Sequence, residues 1–193
     1  MVRAVIFDCF GVLISDALSV IVGNLQATDH EGAEEIRHLV GLSNRGLLDP
    51  AESNKKIAKI LGIDYRSYRR QIADGEVKDL KLMAYIRTLR PHYKTAMLSN
   101  ISSAGLHRRF SDTELNEHFD VVVPSGEIGF AKPEPEAYEI VADRLGMRLE
   151  ECIFIDDRED YCQAAQGVGM QAIYYQDFGQ MKRDLEKVLA KEA

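Results

Sequence analysis

The hydrophobic positions along the chain fall into short apolar runs separated by longer amphipathic stretches. The apolar runs predict buried strands at 2–7, 95–98, 121–123, 152–155 and 171–175. Because these runs do not alternate with polar residues, they favour parallel strands covered on both faces. Helical patterns occupy the intervals at 78–90, 134–146, 158–167 and 178–191. Strands that alternate with helices in this way predict an α/β fold.

One long segment departs from the alternation. From residue 15 to residue 76 the pattern is mostly helical and contains no convincing strand. The predicted organisation is therefore a core domain, 1–14 and 77–193, with a helical domain, 15–76, inserted after the first strand. Inserts at the carboxyl ends of strands lie over the edge where α/β sheets bind ligands, so we expect this one to act as a cap.

Polar side chains of catalytic types stand where four of the predicted strands end. In chain order they are Asp8, Ser99, Asn100, Lys132, Asp156 and Asp157. Taken singly, each has an ordinary explanation as a helix cap, a turn residue or a solvated side chain. However, the carboxyl ends of parallel strands share one edge of a sheet, so we expect these groups to converge. An acid, a hydroxyl, an ammonium and an acid pair in one place predict an active site.

At these positions the sequence resembles the haloacid dehalogenase-like hydrolase superfamily. Four segments carry the resemblance in the order typical of that family: FDCFGVL, LSN, KPEPEAY and FIDDREDYCQAAQGVGM. The resemblance runs from residue 5 to about residue 174. The implied fold is a Rossmann-like parallel-sheet core with a helical cap inserted after the first strand. The position of the cap matches the branch that includes small sugar-phosphate phosphatases.

The resemblance implies catalytic roles for three side chains. Asp8 would attack phosphorus and form an aspartyl-phosphate intermediate. Lys132 would neutralise the charge between this carboxylate and the phosphate, so that two anions can approach. Ser99 and the backbone of Asn100 would donate hydrogen bonds to the phosphoryl oxygens. The implied activity is hydrolysis of a small phosphorylated metabolite, with a sugar phosphate as one class.

The resemblance also implies a Mg²⁺ cofactor. The ion would be held by the Asp8 carboxylate, the backbone carbonyl of Phe10 and Asp157, with Asp156 supporting the arrangement. Waters and a substrate oxygen would complete the shell, because Mg²⁺ prefers oxygen ligands and keeps part of its hydration.

Two positions depart from the family pattern. Phosphatases of this family usually carry a second aspartate two residues after the nucleophile, where it protonates the leaving oxygen and activates water. This chain has Phe10 there, whose ring cannot transfer a proton although its carbonyl can still bind a metal. The other departure is Tyr161, which stands where the fourth motif often has asparagine.

Phe10 leaves three interpretations open. The first is a phosphatase whose substrate has a good leaving group, such as an anomeric sugar phosphate or an acyl phosphate. The second is a metal-independent 2-haloacid dehalogenase, because that branch has an aromatic residue at this position and a departing halide needs no proton. The third is a non-catalytic protein that binds a phosphorylated ligand or a protein partner. The adjacent acids Asp156 and Asp157 favour a cation site, and with it the first interpretation.

The bulk composition limits the class of partner. The 193 residues carry a formal net charge of −7, which offers no electrostatic footprint for nucleic acid or an anionic membrane. The basic clusters RSYRR, 66–70, and HRRF, 107–110, are interpreted as solvated helix faces. In the cap, Arg37, His38 and Arg45 are candidates to meet a polar or anionic group of the substrate.

Cysteine usage and hydropathy indicate a compartment. Cys9, Cys152 and Cys162 form an odd set without metal-ligand spacing, which favours reduced thiols in the cytoplasm. No apolar run approaches the ~20 residues of a transmembrane helix, and the N-terminus does not resemble a signal peptide.

Overall fold

A five-stranded parallel sheet forms the centre of the molecule, whose computed structural model describes residues 1–191. The strand order is β3-β2-β1-β4-β5, so the first strand lies in the middle. The strands are β1 (Ala4–Phe7), β2 (Lys94–Ser99), β3 (Val121–Pro124), β4 (Cys152–Asp156) and β5 (Gln171–Tyr174).

Helices connect and cover the strands. In chain order they are α1 (Ala17–Gln26), α2 (His30–Asn44), α3 (Pro50–Ile60), α4 (Tyr65–Gly75), α5 (Leu80–Leu89), α6 (Ser103–His107), α7 (Asp112–His118), α8 (Ser125–Ile128), α9 (Pro135–Leu145), α10 (Glu159–Gly167) and α11 (Phe178–Lys191). None of these helices within the described range is long and apolar enough to cross a membrane.

The predicted fold class is confirmed. Every predicted strand and each of the four predicted core helices is present, with ends that differ by at most two residues from the sequence pattern. The short helices α6, α7 and α8 were not predicted, because a helix of one or two turns shows too little periodicity. Both α6 and α7 begin at a serine cap: Ser102 accepts from the backbone of Gly105, and Ser111 accepts from that of Glu114.

The two faces of the sheet are buried under different helices. One hydrophobic cluster joins the sheet to α5, α7 and α11 through residues such as Ile86, Leu115 and Leu185. The other joins it to α9 and α10 through residues such as Tyr138 and Ala165. Burial on both faces explains why the strands are continuous apolar runs.

Helices α1 to α4 occupy the insert and have a hydrophobic cluster of their own, centred on Ile36, Ile57 and Tyr68. Each begins after an aspartate whose side chain accepts a backbone N–H of the first turn: Asp16, Asp29, Asp49 and Asp64. Such caps stabilise a helix by about 0.5–2 kcal/mol each. A separate cluster suits an inserted unit, while the division into two domains at residues 15 and 76 stays a prediction.

Candidate active site

Lys132 joins two carboxylates at the carboxyl edge of the sheet. Its ammonium nitrogen lies 2.6 Å from Asp8 Oδ1 and 2.6 Å from Asp156 Oδ2. All three side chains are almost completely buried. The structure therefore brings together residues that lie up to 148 positions apart in the chain.

The register of the sheet places these two acids side by side. Phe7 of β1 pairs with Ile155 of β4, and Asp8 N–H donates to the Ile155 carbonyl at 2.9 Å. Asp8 and Asp156 are the residues that follow this pair on adjacent parallel strands, so their side chains reach the same point. Asp156 also accepts the backbone N–H of Arg158 through Oδ1 at 2.9 Å, which fixes the carboxylate.

Burial dominates the electrostatics of this cluster. It raises the pKa of Asp8 above its usual range; Asp156 adds to the rise, and Lys132 opposes it. Burial alone would lower the pKa of Lys132, but the charges of Asp156 and Asp8 together raise it above its usual value. The lysine is therefore held as an ammonium ion against the two acids.

A third acid completes a potential cation site. Ligand oxygens of Asp8, Asp156 and Asp157 all lie within 4.8 Å of one another. Burial, followed by the charges of Asp156 and Asp16, raises the pKa of Asp157 to about 6. Three carboxylates against one ammonium leave an excess of negative charge, and hard carboxylate oxygens are the ligands that Mg²⁺ prefers. The residues present therefore fit a divalent cation.

Gly11 is what allows Asp157 to approach. A Cβ atom at this position would lie 2.0 Å from Asp157 Oδ2, which is a severe clash. Gly11 also has φ of +84°, in the left-handed region that side-chain-bearing residues rarely adopt. The glycine after Phe10 thus turns the chain and leaves room for the carboxylate.

Ser99 lies at the end of β2, next to the acid cluster in the sheet. Its hydroxyl is buried and has no hydrogen-bond partner among the described residues. A buried hydroxyl without a partner costs free energy, and native proteins usually satisfy such groups. Ser99 is not among the residues that line the cavity described below, so its predicted hydrogen bond to a phosphoryl oxygen stays a prediction.

The Asn100 side chain positions the lysine segment. Its Nδ2 donates to the Lys132 carbonyl at 2.8 Å, and its Oδ1 accepts the Lys132 N–H at 2.9 Å. The same Nδ2 lies 3.2 Å from the Tyr161 hydroxyl. Tyr161 therefore supplies a hydrogen-bonding group where the fourth motif often has asparagine. The predicted contact of the Asn100 backbone with substrate stays a prediction.

The Phe10 ring packs against the guanidinium group of Arg109. The Arg109 guanidinium lies 5.0 Å from the centre of the Phe10 ring. Arg109 is itself fixed by Glu76, with nitrogen–oxygen distances of 2.5 and 2.8 Å. Because Glu76 directly follows α4 and Arg109 lies just after α6, this chain of contacts joins the two segments beside Asp8.

A cavity of about 690 Å³ opens above the acid cluster, between the insert and the core. Of the cap residues considered from the sequence, Arg37 and Arg45 line it, whereas His38 is exposed and does not. In RSYRR and HRRF, Arg69, Arg70 and Arg108 are exposed, as the interpretation as solvated faces expects, although Arg69 and Arg108 also line the cavity. Arg109 departs from that interpretation, because it is partly buried and pairs with Glu76.

Three residues of the site were not identified as contributors from the sequence: Gly11, Glu76 and Arg109. Only Gly11 had a local signal, since a glycine directly after a strand and a short loop marks a turn or a close approach. The pairing of Glu76 with Arg109 is a long-range contact between polar residues, which leaves no periodic trace.

Comparisons with known proteins find relatives of part of the sequence. A segment of 75 residues is 39% identical to bifunctional epoxide hydrolase 2 of Rattus norvegicus, covering 39% of this chain and 14% of that protein. A segment of 78 residues is 38% identical to phosphatase MT3486 of Mycobacterium tuberculosis, covering 38% and 36% respectively. The chain thus matches well under half the length of either relative.

A solved structure shares the whole fold. It is a HAD family enzyme of Bacteroides thetaiotaomicron, in complex with magnesium and inorganic phosphate, with a TM-score of 0.74 and 22% identity over 94% of this chain and 99% of that one. The model of the haloacid dehalogenase-like hydrolases matches residues 2–169. Since this match takes in all of the strand-end residues, the chain belongs to the haloacid dehalogenase-like hydrolase family.

Proposed function

We propose that this hydrolase cleaves the phosphate monoester of a small metabolite in a Mg²⁺-dependent reaction, with Asp8 as the nucleophile. The observation that carries the proposal is the buried Lys132 ammonium, 2.6 Å from both Asp8 and Asp156, with Asp157 beside them. A nucleophilic carboxylate needs neighbouring positive charge before it can meet a phosphate dianion.

The metal residues would be Asp8, Asp157 and the Phe10 carbonyl, with Asp156 behind them. When bound, Mg²⁺ supplies positive charge that offsets the acids and polarises a phosphoryl oxygen. Asp8 and Asp156 both pair with Lys132, but Asp156 is fully buried and does not line the cavity, so its contribution is to hold the lysine rather than to bind the metal directly. Magnesium and phosphate, both present in the Bacteroides structure, are natural probes of this site.

The residues of the chain divide the chemistry between them. An Asp8 oxygen forms a bond to phosphorus as the bond from phosphorus to the leaving oxygen breaks, and an aspartyl phosphate results. Lys132 holds Asp8 in place and stabilises the charge that develops on the phosphoryl oxygens. The unpartnered Ser99 hydroxyl donates to one of those oxygens. Water then cleaves the aspartyl phosphate and restores Asp8.

Phe10 decides which leaving groups suit the enzyme. General acid assistance contributes typically about 10²–10⁴-fold, and a phenyl ring cannot provide it. Arg109, which covers the ring, is paired with Glu76. The proposed substrates are therefore those whose leaving group needs little protonation, such as acyl phosphates and anomeric sugar phosphates.

The surroundings support a small substrate. The cavity of about 690 Å³ is the size of typical small-molecule sites and is lined by residues of both the insert and the core. A formal net charge of −7 supports the expectation that neither nucleic acid nor an anionic membrane is a partner. The free cysteines Cys9, Cys152 and Cys162 support a reducing, cytoplasmic compartment.

A 2-haloacid dehalogenase is the second candidate, and Phe10 is the observation that favours it. A departing halide requires no proton, so an aromatic residue would cost that reaction nothing. Against it stand three clustered carboxylates that share a single ammonium, Lys132, which leaves an excess of negative charge that a metal cation would offset. The cation site is therefore the feature that favours phosphate chemistry over halide chemistry.

The test is phosphate release from a panel of small phosphates that includes acyl phosphates and sugar 1-phosphates. We expect release that requires Mg²⁺, stops with EDTA and is abolished by Asp8→Asn. Asp143→Asn, at an exposed helix position, is the matched control and should keep full activity. No release from any compound would refute the phosphatase. Metal-independent chloride release from 2-chloropropionate would establish the dehalogenase, and tight phosphate binding without turnover would indicate a non-catalytic protein.

A further inference from the structure

Two basic segments that lie far apart in the sequence meet in the substrate cavity. Arg69 comes from α4 of the insert, and Arg108 follows α6 of the core. Both line the cavity whose lining also includes Asp8 and Lys132. The cavity therefore has positively charged residues on two walls, contributed by the two parts of the molecule that enclose it.

These two arginines differ from the others in the same cavity. Four cavity arginines each form an ion pair with a carboxylate: Arg37 with Glu34, Arg45 with Glu134, Arg109 with Glu76 and Arg158 with Asp160. Over residues 1–191, neither Arg69 nor Arg108 has a carboxylate partner or a side-chain hydrogen bond. Two unpaired cations are notable in a chain with seven more acidic than basic residues.

The charge of Arg69 acts on Arg108. Both side chains are exposed to solvent at the mouth of the cavity. The pKa of Arg108 lies below its ordinary value because of partial burial, and then because of the charges of Arg109 and Arg69. Tyr65 and Glu76 oppose this shift, and Glu76 is itself paired with Arg109. An anion placed between the guanidinium groups of Arg69 and Arg108 would offset both charges and gain charge-assisted hydrogen bonds.

We propose that Arg69 and Arg108 form a second anion subsite, which binds a carboxylate or phosphate at the far end of the substrate. The inference rests on the proposed function, because the phosphoryl group to be transferred occupies the Asp8–Lys132 end of the cavity. It narrows the substrate class to phosphorylated metabolites that carry a second oxyanion.

The planar guanidinium suits this role. It presents paired N–H donors that match the two oxygens of a carboxylate or phosphate. One donor set comes from the insert and the other from the core, so a bound oxyanion would bridge the two parts above the reacting phosphate. Substrates without the second charge would fill the same cavity but leave the two arginines unsatisfied.

Binding to the Asp8→Asn variant with Mg²⁺ tests the subsite without requiring turnover. The probes are α,ω-alkanediol bisphosphates and ω-phosphoalkanoates of increasing chain length, each compared with the monophosphate of the same length. Calorimetry should show that at least one doubly anionic probe binds about tenfold or more tightly than its monophosphate, as charge-assisted hydrogen bonds predict. The two probe series also distinguish a phosphate from a carboxylate as the second group.

Replacing the arginines assigns the preference to the subsite. Arg69→Gln combined with Arg108→Gln should reduce the preference to less than about twofold and leave monophosphate binding unchanged, because two charge-assisted contacts are lost. Arg70→Gln is the matched control, since Arg70 is exposed on the same helix, pairs with Asp74 and does not line the cavity. It should keep the full preference.

Three results would overturn the subsite: no doubly anionic probe binds more tightly, the preference survives the double substitution, or Arg70→Gln removes it equally. Failure of the proposed function is a separate result. It would appear as an absence of phosphate release by the unmodified protein, whereas the binding comparison would still decide the subsite.

Discussion

Replacing Lys132 with methionine should cost more stability than replacing any exposed lysine of the chain. The ammonium is 1% exposed and holds two carboxylates, Asp8 and Asp156, each at 2.6 Å. Methionine fills a similar volume but leaves two acids buried without a cation. Each acid then has to be protonated, hydrated or stabilised by a metal ion.

The size of the effect follows from these distances. At an effective dielectric constant of about 20, two unit charges 2.6 Å apart attract by ~6 kcal/mol before the cost of desolvation is subtracted. Protonation and relaxation recover much of the loss, and breaking a buried ion pair is typically destabilising by about 3–5 kcal/mol. We expect Lys132→Met to lower the free energy of unfolding by an amount in that range.

Urea unfolding at neutral pH in EDTA measures the change. Lys94→Met is the matched control, because Lys94 is half exposed and pairs with Asp120 at 3.2 Å; it should cost less than about 1 kcal/mol. Adding Mg²⁺ should restore part of the stability of Lys132→Met, since the cation then faces acids that lack their lysine. A loss no larger than that of the control would refute the electrostatic account of the site.

Three further predictions address the neighbours of the nucleophile and the charge pairs. Phe10→Asp should raise kcat on substrates with poor leaving groups by up to about 10²-fold and leave kcat on acyl phosphates unchanged. Steady-state kinetics would measure both values, and an equal change on both kinds of substrate would contradict the proton-transfer argument. Gly11→Ala should weaken Mg²⁺ binding, because its Cβ would lie 2.0 Å from Asp157 Oδ2, and calorimetry that finds unchanged affinity would be the contrary result. The hydrogen bond from Lys78 lowers the pKa of Glu114 to about 2 from 4.5, so the stabilisation it gives is present above pH 4.5 and is lost as the pH falls towards 2. Urea unfolding of Glu114→Gln should therefore approach the unmodified protein as the pH is lowered, and a difference that grows in acid would contradict this assignment.

The sheet and the position of the acids were predictable from the sequence because both depend on local patterns. A run of apolar residues ending in Asp8 predicts a buried strand with an acid at its end, and β4 ending in Asp156 repeats this pattern. Parallel topology then places these ends at one edge. The pairing of Lys132 with Asp156 was not foreseen, because strand ends alone do not define which acid each ammonium contacts.

The walls of the cavity were not predictable, since they depend on how the insert lies over the core. Arg69 and Arg108 stand in polar segments whose periodicity shows a solvated face but not what lies opposite that face. The contact of Arg109 with Phe10 was not predictable for the same reason, because it depends on which segment lies opposite Arg109. The polar pattern of an amphipathic segment depends on that segment alone, whereas these contacts form between segments that are distant in the sequence.

The most direct test of the central claim is to trap the covalent intermediate. Acetyl phosphate labelled with ³²P has a leaving group that needs no proton, so Phe10 should not prevent the first step. With Mg²⁺ and an acid quench, we predict labelled protein in an amount approaching one equivalent. Borohydride reduction releases the phosphate and converts the phosphorylated aspartate to homoserine, and mass spectrometry should find this conversion at Asp8. Asp8→Asn and EDTA should each abolish it. Phosphate release without labelled protein, or with the label on another residue, would contradict the assignment of Asp8 as the nucleophile.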